Sequence, residues 1–275
     1  MRKRSAIAIV AAALALPTGT SAAPRIVSMN ICTDQLLLAI ADPAQIMGVS
    51  RFSGNPRQWA GAQARNFPIL SGGAEDILVM KPDVDAVSDF DKRATREILK
   101  ANGQNLVEFA IPRTLADVRA QIRQMGDLAG HPERAAAEIA RLDAAISAAR
   151  QPADRKQVRV LPLSRRGWVP GRDSFVAAIL AEAGLVNAAA ELGIGFGGYV
   201  SMEEIIRLRP DLLVVSDAGD RAEDDGSAFL LHPALERFYP RARRIVIPER
   251  MTECGGVYLA DALNALSAEL KRVAE

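Results

Sequence analysis

The sequence predicts an α/β protein with two similar lobes joined by a long helix. Fifteen residues starting at Glu75 (EDILVMKPDVDAVSD) return 128 positions later, starting at Glu203 (EEIIRLRPDLLVVSD), with seven identities. Each copy is typical of a short helix, a Pro-Asp turn and a buried strand, so the repeat predicts two related lobes with a ligand held between them. Short apolar strands alternate with helices elsewhere, as in a mostly parallel sheet, and a wholly helical stretch follows Pro112.

Residues 1–23 are predicted to be a secretory signal peptide. Basic residues at positions 2–4 precede an apolar run, and the segment ends Ser21-Ala22-Ala23. The apolar run is shorter than the stretch of about 20 residues that spans a bilayer. No cysteine stands at the expected cleavage point, so a lipid anchor is not indicated. We expect cleavage after Ala23 and a free periplasmic protein.

The elements of the two lobes follow in chain order. In the N-terminal lobe, residues 24–113, we expect strands at 25–28, 46–49, 86–87 and 106–109, helices at 33–41 and 93–101, and the short helix of the repeat before its Lys-Pro-Asp turn, with Asn30 or Thr33 capping the first helix. Residues 114–155 are predicted to be connecting helices at 115–129 and from Pro132 to about Arg150, the second about 28 Å long. The C-terminal lobe, residues 156–275, is predicted to continue the alternation through 158–163, 175–182, 202–208, 212–215 and 244–247 to a final helix from about Tyr258.

Composition excludes several function classes. Without the signal peptide the chain has 31 basic and 33 acidic residues. Nucleic acids and anionic membranes select proteins with a strong basic excess, so neither is an expected partner. About 250 residues that are rich in apolar side chains are enough for two cores. We expect a monomer.

Several segments resemble one family. The opening RIVSMNICTDQLLLA, the paired Glu-x6-Pro-Asp segments, the connecting helix and the loop Gly195-Phe196-Gly197-Gly198-Tyr199 are similar to periplasmic binding proteins of iron-siderophore, haem and cobalamin ABC importers. The resemblance covers residues 24–275. It implies two Rossmann-like lobes, a rigid backbone helix, and a metal chelate bound in a shallow cleft for delivery to an ABC permease.

The resemblance also implies a docking role for Glu75 and Glu203. In this family a surface glutamate on each lobe, seven residues before the proline of the repeated motif, contacts arginines of the permease. Charge-assisted contacts from one carboxylate on each lobe would fix the orientation of the receptor. The alternative is that both are ordinary first-turn residues favoured by the helix dipole.

Candidate ligand-binding residues follow the carboxyl ends of the predicted strands, where open α/β sheets bind ligands. Trp168 can stack on a flat ligand and the neighbouring arginines can pair with carboxylates or phosphate, but core packing of Trp168 and solvated arginines are alternatives. Tyr199 either lines the cleft or coordinates haem iron, as a tyrosine does in some relatives. The candidates are Asn30, Cys32, Arg51, Phe52, Asp89, Phe90 and Arg113 on the first lobe and Arg165, Arg166, Trp168, Tyr199, Asp217 and Met251 to Cys254 on the second.

The two cysteines leave three alternatives open. Cys32 and Cys254 precede the first and last helices, so both can face the cleft from opposite sides. An oxidising periplasm permits a disulfide, but the Cα atoms must then come within about 7 Å, which we expect an occupied cleft to prevent. The thiols otherwise line the ligand site or pack elsewhere.

No metal cofactor and no catalytic activity are expected of the chain itself. His131 and His232 each precede a proline at a predicted helix start, so both are interpreted as structural and a bare metal ion is not the expected cargo. The chain lacks a nucleophile elbow, a zinc-protease motif and a phosphate loop, so an enzyme is a minor alternative. A ligand-binding sensor that signals through a membrane protein is the other alternative.

Overall fold

The first lobe is built on a parallel sheet. The computed structural model describes residues 23–55, 61–150, 157–216, 228–252 and 254–274. The elements of the lobe are β1 Ile26–Ser28, α1 Ile31–Ile40, β2 Ile46–Gly48, α2 Gly61–Ala64, α3 Ala74–Met80, β3 Val84–Val87, α4 Arg93–Ala101 and β4 Leu106–Glu108. The four strands are parallel, in the order β2-β1-β3-β4.

Two helices connect the lobes. Helix α5, Leu115–Ala129, begins with a capping box between Thr114 and Asp117 and ends at Gly130, whose φ of 75° suits glycine. Helix α6, Pro132–Ala149, starts with proline in its first turn and is 18 residues long, or about 27 Å. Both lie where the sequence predicts them.

The second lobe repeats the architecture of the first. Its elements are β5 Val158–Leu163, β6 Trp168–Pro170, α7 Phe175–Glu182, β7 Leu185–Asn187, β8 Gly197–Tyr199, α8 Met202–Leu208, β9 Leu212–Val215, α9 Pro233–Phe238, β10 Arg244–Val246 and α10 Leu259–Ala274. The parallel sheet has the order β10-β9-β5-β7. If only the four strands of each parallel sheet are counted in chain order, the first strand lies between the second and the third in both sheets.

The sequence repeat is also a repeat of detailed structure. Helices α3 and α8 end at Lys81 and Arg209, each with a left-handed φ of 49°. The carboxylates of Asp83 and Asp211 each accept a hydrogen bond of 2.8 Å from a backbone N–H at the start of the neighbouring strand. The fold class predicted from the repeat, two α/β lobes joined by a long helix, is confirmed.

The lobes share a core. One apolar cluster runs from the α1 side of the first sheet through α5 and α6 to α10. Polar contacts add to it: Arg141 on α6 donates to Asp261 on α10 (3.1 Å), and the Ser267 hydroxyl donates to the carbonyl of Ala148 (3.2 Å). Helix α6 thus packs on the second lobe along its length, as a rigid connection requires.

The structure differs from the sequence-based predictions at a few places. Asn30, and not Thr33, caps α1, which starts at Ile31. The glycine-rich segment predicted to be a loop contains strand β8, which forms a small antiparallel ribbon with β6. No helix among the described residues is long and apolar enough to cross a membrane. The predicted signal peptide lies outside the described residues, apart from Ala23, and the division at residues 113 and 155 stays a prediction.

Candidate functional site

The carboxyl ends of the two sheets meet at one junction. Cys32, in the first turn of α1, is bonded to Cys254, in the segment between β10 and α10, with Cα atoms 5.4 Å apart. The next residue, Gly255, approaches Pro112 after β4 and Phe175 at the start of α7 so closely that a Cβ atom would lie 2.8 Å from each. Each of these segments follows a strand or begins a helix on the carboxyl side of its sheet, so a cleft between the lobes has its base here.

The disulfide decides between the alternatives for the cysteines. Both cysteines are in the bond, and no free cysteine remains among the described residues. The interpretation of Cys32 and Cys254 as ligand-lining thiols is therefore wrong. The expectation that the cleft keeps the two residues apart is also wrong, because they lie at its base, where the lobes are already in contact.

On the first lobe, Asn30 and Asp89 follow the ends of β1 and β3. The Asn30 side chain is buried; its carbonyl oxygen caps α1 by accepting from the N–H groups of Cys32 and Thr33, and its amide donates to Asp91 (3.1 Å). These hydrogen bonds give Asn30 a structural role at the edge of the cleft. Asp89 is exposed, with a carboxylate oxygen 3.9 Å from the guanidinium of Arg96.

The turn after β2 presents an aromatic and a cation. The guanidinium carbon of Arg51 lies 5.0 Å from the centroid of the Phe52 ring, in cation–π contact. Under this turn lies the carboxylate of Asp34, which is fully buried and accepts hydrogen bonds from Ser50 and Ser53. Asp34 was not predicted as a site residue; it lies just before the apolar run Leu36-Leu37-Leu38 of the predicted first helix.

On the second lobe, the predicted site residues Trp168 and Tyr199 are direct partners across the β6–β8 ribbon. The indole of Trp168 packs on Gly197, where a Cβ atom would come within 2.6 Å of the ring. Sequence reasoning named both aromatics but missed their pairing, because the strand pattern of β8 is hidden by its glycines. The ribbon thus carries two aromatic side chains side by side.

The arginines before this ribbon are exposed. Arg165 and Arg166 lie in a short 3₁₀ turn after β5, and Arg166 has a left-handed φ of 59°. Arg113, after β4, is exposed on the first lobe, and Met251 is half-buried. Asp217 lies outside the described residues, so its predicted role stays a prediction.

Four aromatic side chains, two in the turns after β2 and β3 and two at the β6–β8 ribbon, are largely open to solvent. The exposed fractions are 51% for Phe52, 75% for Phe90, 72% for Phe196 and 71% for Tyr199. Large aromatic rings are normally buried, and a group of exposed ones is typical of a binding surface. With the neighbouring arginines, these rings can stack on flat apolar ligands and pair with acidic groups.

Glu75 and Glu203 occupy equivalent positions. Both are exposed and stand second in their helices, α3 and α8. The residue after each glutamate accepts a backbone hydrogen bond near the helix start: Asp76 from the Ser71 N–H (2.6 Å), and Glu204 from the N–H of the cap residue Ser201 (2.7 Å). The first turn of each helix lies on the carboxyl side of its sheet, so the two glutamates stand on the cleft side of the molecule.

The histidines have structural contacts. His131 lies 3.0 Å from Asp42 and 3.2 Å from Glu133, and His232 caps α9 by accepting from the Ala234 N–H (3.1 Å). Within the described ranges no group of three or more His, Cys, Asp or Glu side chains is placed to hold a metal ion.

The fold and the cleft define a two-lobe ligand-binding protein. Residues 26–243 match the family of periplasmic binding proteins, and the chain belongs to that family. The family resemblance inferred from the sequence is therefore confirmed.

Known relatives and solved structures agree with this assignment. The chain is 25% identical over 223 residues to a cobalamin-binding protein of Halobacterium salinarum, covering 78% of this chain and 59% of the relative; it thus spans about three fifths of that protein's length. It is similar to the periplasmic heme-binding protein RhuT from Roseiflexus sp. RS-1, with 25% identity, a TM-score of 0.72, and 92% of this chain and 100% of the other covered. The heme-binding protein HutB of Vibrio cholerae shares the fold, with 22% identity, a TM-score of 0.72, and 90% and 98% covered.

Proposed function

We propose that this protein is a periplasmic receptor that captures a metal chelate between its lobes and delivers it to the transmembrane subunits of an ABC importer. The observation that carries the proposal is the set of exposed aromatic rings at the carboxyl ends of both sheets. Stacking between two facing walls suits a flat ligand, and the arginines on both lobes suit one with acidic substituents. The ligand supplies the metal, and the chain needs none of its own.

Tetrapyrrole-type chelates are the first candidates within this class. RhuT is a heme-binding protein and the Halobacterium relative is a cobalamin-binding protein, each at 25% identity. Both ligands are metal-bearing macrocycles with broad faces. Ferric siderophores, which have no such face, are the comparison ligands.

The binding test is a titration of the mature, disulfide-bonded protein with haemin, cyanocobalamin and a ferric hydroxamate. Saturating ligand at about 100 times its Kd adds about 2.7 kcal/mol to the free energy of unfolding, which raises the melting temperature by several degrees. A rise with one of these compounds, with a change in its visible spectrum, supports the proposal. No rise with any of them contradicts it.

Delivery to a permease is tested through the two glutamates. The double variant Glu75→Arg with Glu203→Arg is expected to bind ligand as the wild type does and to lose uptake, because two attractive contacts become repulsive. Asp127→Arg, a reversal of an exposed charge on α5, is the control and retains uptake. Unchanged uptake by the double variant would reject the docking role.

A further inference from the structure

The turn after β2 is fixed by contacts on its buried side. Its backbone closes through two hydrogen bonds, from the Ser53 N–H to the Ser50 carbonyl (3.1 Å) and from the Asn55 N–H to the Phe52 carbonyl (3.2 Å). Phe52 is half-exposed, so burial of its ring does little to fix the turn. The contacts that fix it come from the opposite, buried side.

Asp34 supplies these contacts. Its two carboxylate oxygens accept from the Ser50 N–H (3.0 and 3.1 Å), and one of them also accepts from the hydroxyls of Ser50 (2.5 Å) and Ser53 (2.7 Å). These donors belong to the turn; the Ser28 side chain, at the end of β1, also stabilises the charged carboxylate and ties it to the sheet. Burial raises the pKa of Asp34 to about 6, although the hydrogen bonds favour the charged form.

The fold itself does not require a carboxylate at this place. In the second lobe, α7 begins after the cap Ser174 as α1 begins after the cap Asn30. The residue that stands four positions after the cap is Asp34 in α1 and Ala178 in α7. A buried carboxylate that the other lobe lacks, and that accepts hydrogen bonds from Ser50 and Ser53 of a single turn, indicates a task at that turn.

We propose that Asp34 is a positioning residue of the ligand site, whose buried carboxylate fixes the turn that presents Arg51 and Phe52 to the cleft. The inference deepens the proposed function and rests on it for the ligand, but the fixing of the turn is measurable without ligand. Asp34 acts only through the turn; Arg51 and Phe52 are the residues that contact the chelate.

Tryptic cleavage after Arg51 measures the turn directly. Proteases cut where the backbone opens, so the rate of this cut in the folded, disulfide-bonded protein reports local opening. In Asp34→Asn, which cannot accept all the donated hydrogen bonds, the cut is expected to be at least about ten-fold faster, the equivalent of one lost hydrogen bond to a charge. Ser53→Ala, a milder change that keeps the carboxylate, is expected to give about a five-fold increase.

The matched control is Ser267→Ala. It also removes one buried serine hydroxyl, but from the interface between α10 and α6, where Ser267 donates to Ala148. It is expected to lower the melting temperature as Ser53→Ala does and to leave the cut after Arg51 within about two-fold of the wild type. Should Asp34→Asn fail to fold, Ser53→Ala against this control decides the question.

A second measurement separates positioning from general stability. Asp34→Asn is expected to weaken haemin binding about ten-fold in the wild-type background and less than about two-fold when Arg51→Ala and Phe52→Ala are already present. An equal loss in both backgrounds, or a wild-type cleavage rate in Asp34→Asn and Ser53→Ala, would overturn the proposal. If wild type binds neither haemin nor cyanocobalamin, the proposed ligand class fails, and the cleavage rates alone uphold or overturn the fixing of the turn.

Discussion

Replacing Asp85 by asparagine is expected to stabilise the protein at neutral pH. Asp85 lies in the middle of β3 with no exposed surface, and neither of its carboxylate oxygens has a hydrogen-bond partner in the described part of the chain. It is paired in register with Val27 and Leu106, which belong to an apolar cluster. At the matching position of the repeat, the second lobe has Leu213, also fully buried.

The magnitude follows from the pKa of this carboxyl group. Burial raises the pKa of Asp85 from 3.8 to about 6, so the folded state binds the proton more tightly than the unfolded chain does. Stability from this group is fully present below pH 3.8 and is lost as the pH rises through 6. A pKa of about 6 in the folded state against 3.8 in the unfolded chain corresponds to about 3 kcal/mol of lost stability above pH 7.

Urea unfolding of the disulfide-bonded protein at pH 7.5 and pH 4.0 measures this effect. Asp85→Asn, which has the same shape and no charge, is expected to be more stable than wild type by about 3 kcal/mol at pH 7.5 and by less than about 1 kcal/mol at pH 4.0. Asp127→Asn, on an exposed helix face, is the control and changes stability little at either pH. The reasoning is refuted if Asp85→Asn gains nothing at pH 7.5, or gains equally at both pH values. Asp34 titrates in the same range in both proteins, so its contribution cancels.

Three further predictions concern the junction, a helix end and the ribbon. Cys254→Ser is expected to lower the free energy of unfolding by about 5 kcal/mol, since the disulfide closes a loop of more than 200 residues. Denaturant unfolding measures this loss. The matched variant Cys32→Ser, and wild type in the presence of reductant, should lose the same amount. Lys81→Gly is expected to raise stability by about 1 kcal/mol, because glycine adopts the left-handed φ of 49° without a penalty, and a drop in the melting temperature would contradict this. Gly197→Ala is expected to displace the indole of Trp168 and shift its fluorescence, whereas an unchanged spectrum would show that the ring does not pack on the glycine.

Much of the fold was predictable because it depends on local patterns. The repeat predicts α3 and α8 with the strands that follow them, and the helical stretch after Pro112, with Pro132 in the first turn of its second helix, predicts the connecting helices. The ribbon of β6 and β8 was not predictable, because Gly197 and Gly198 have no side chains to show a strand alternation. The disulfide depends on an approach of two segments 222 positions apart, and no local pattern encodes that distance.

The sequence predicted exposed residues of the candidate site but not the buried carboxylates behind it. Positions after strand ends identified Phe52, Phe90 and Tyr199, because the topology of a parallel sheet places its carboxyl ends together. Asp34 and Asp85 escaped this reasoning. Each stands among apolar residues of a predicted helix or strand, where the sequence does not tell whether a carboxylate is buried or turned to solvent.

Two buried carboxylates distinguish the first lobe from the second. Asp34 and Asp85 are fully buried in the first lobe at positions where the second lobe has Ala178 and Leu213. Burial raises the pKa of each to about 6, so both are charged at neutral pH at a cost to the first lobe alone. The desolvation of these charges destabilises the first lobe, whose α1 is bonded through Cys32 to the second lobe. Because the disulfide and the shared core hold the first lobe against its partner, the fold tolerates one carboxylate that supports a turn of the cleft and another that has no hydrogen-bond partner in the described part of the chain.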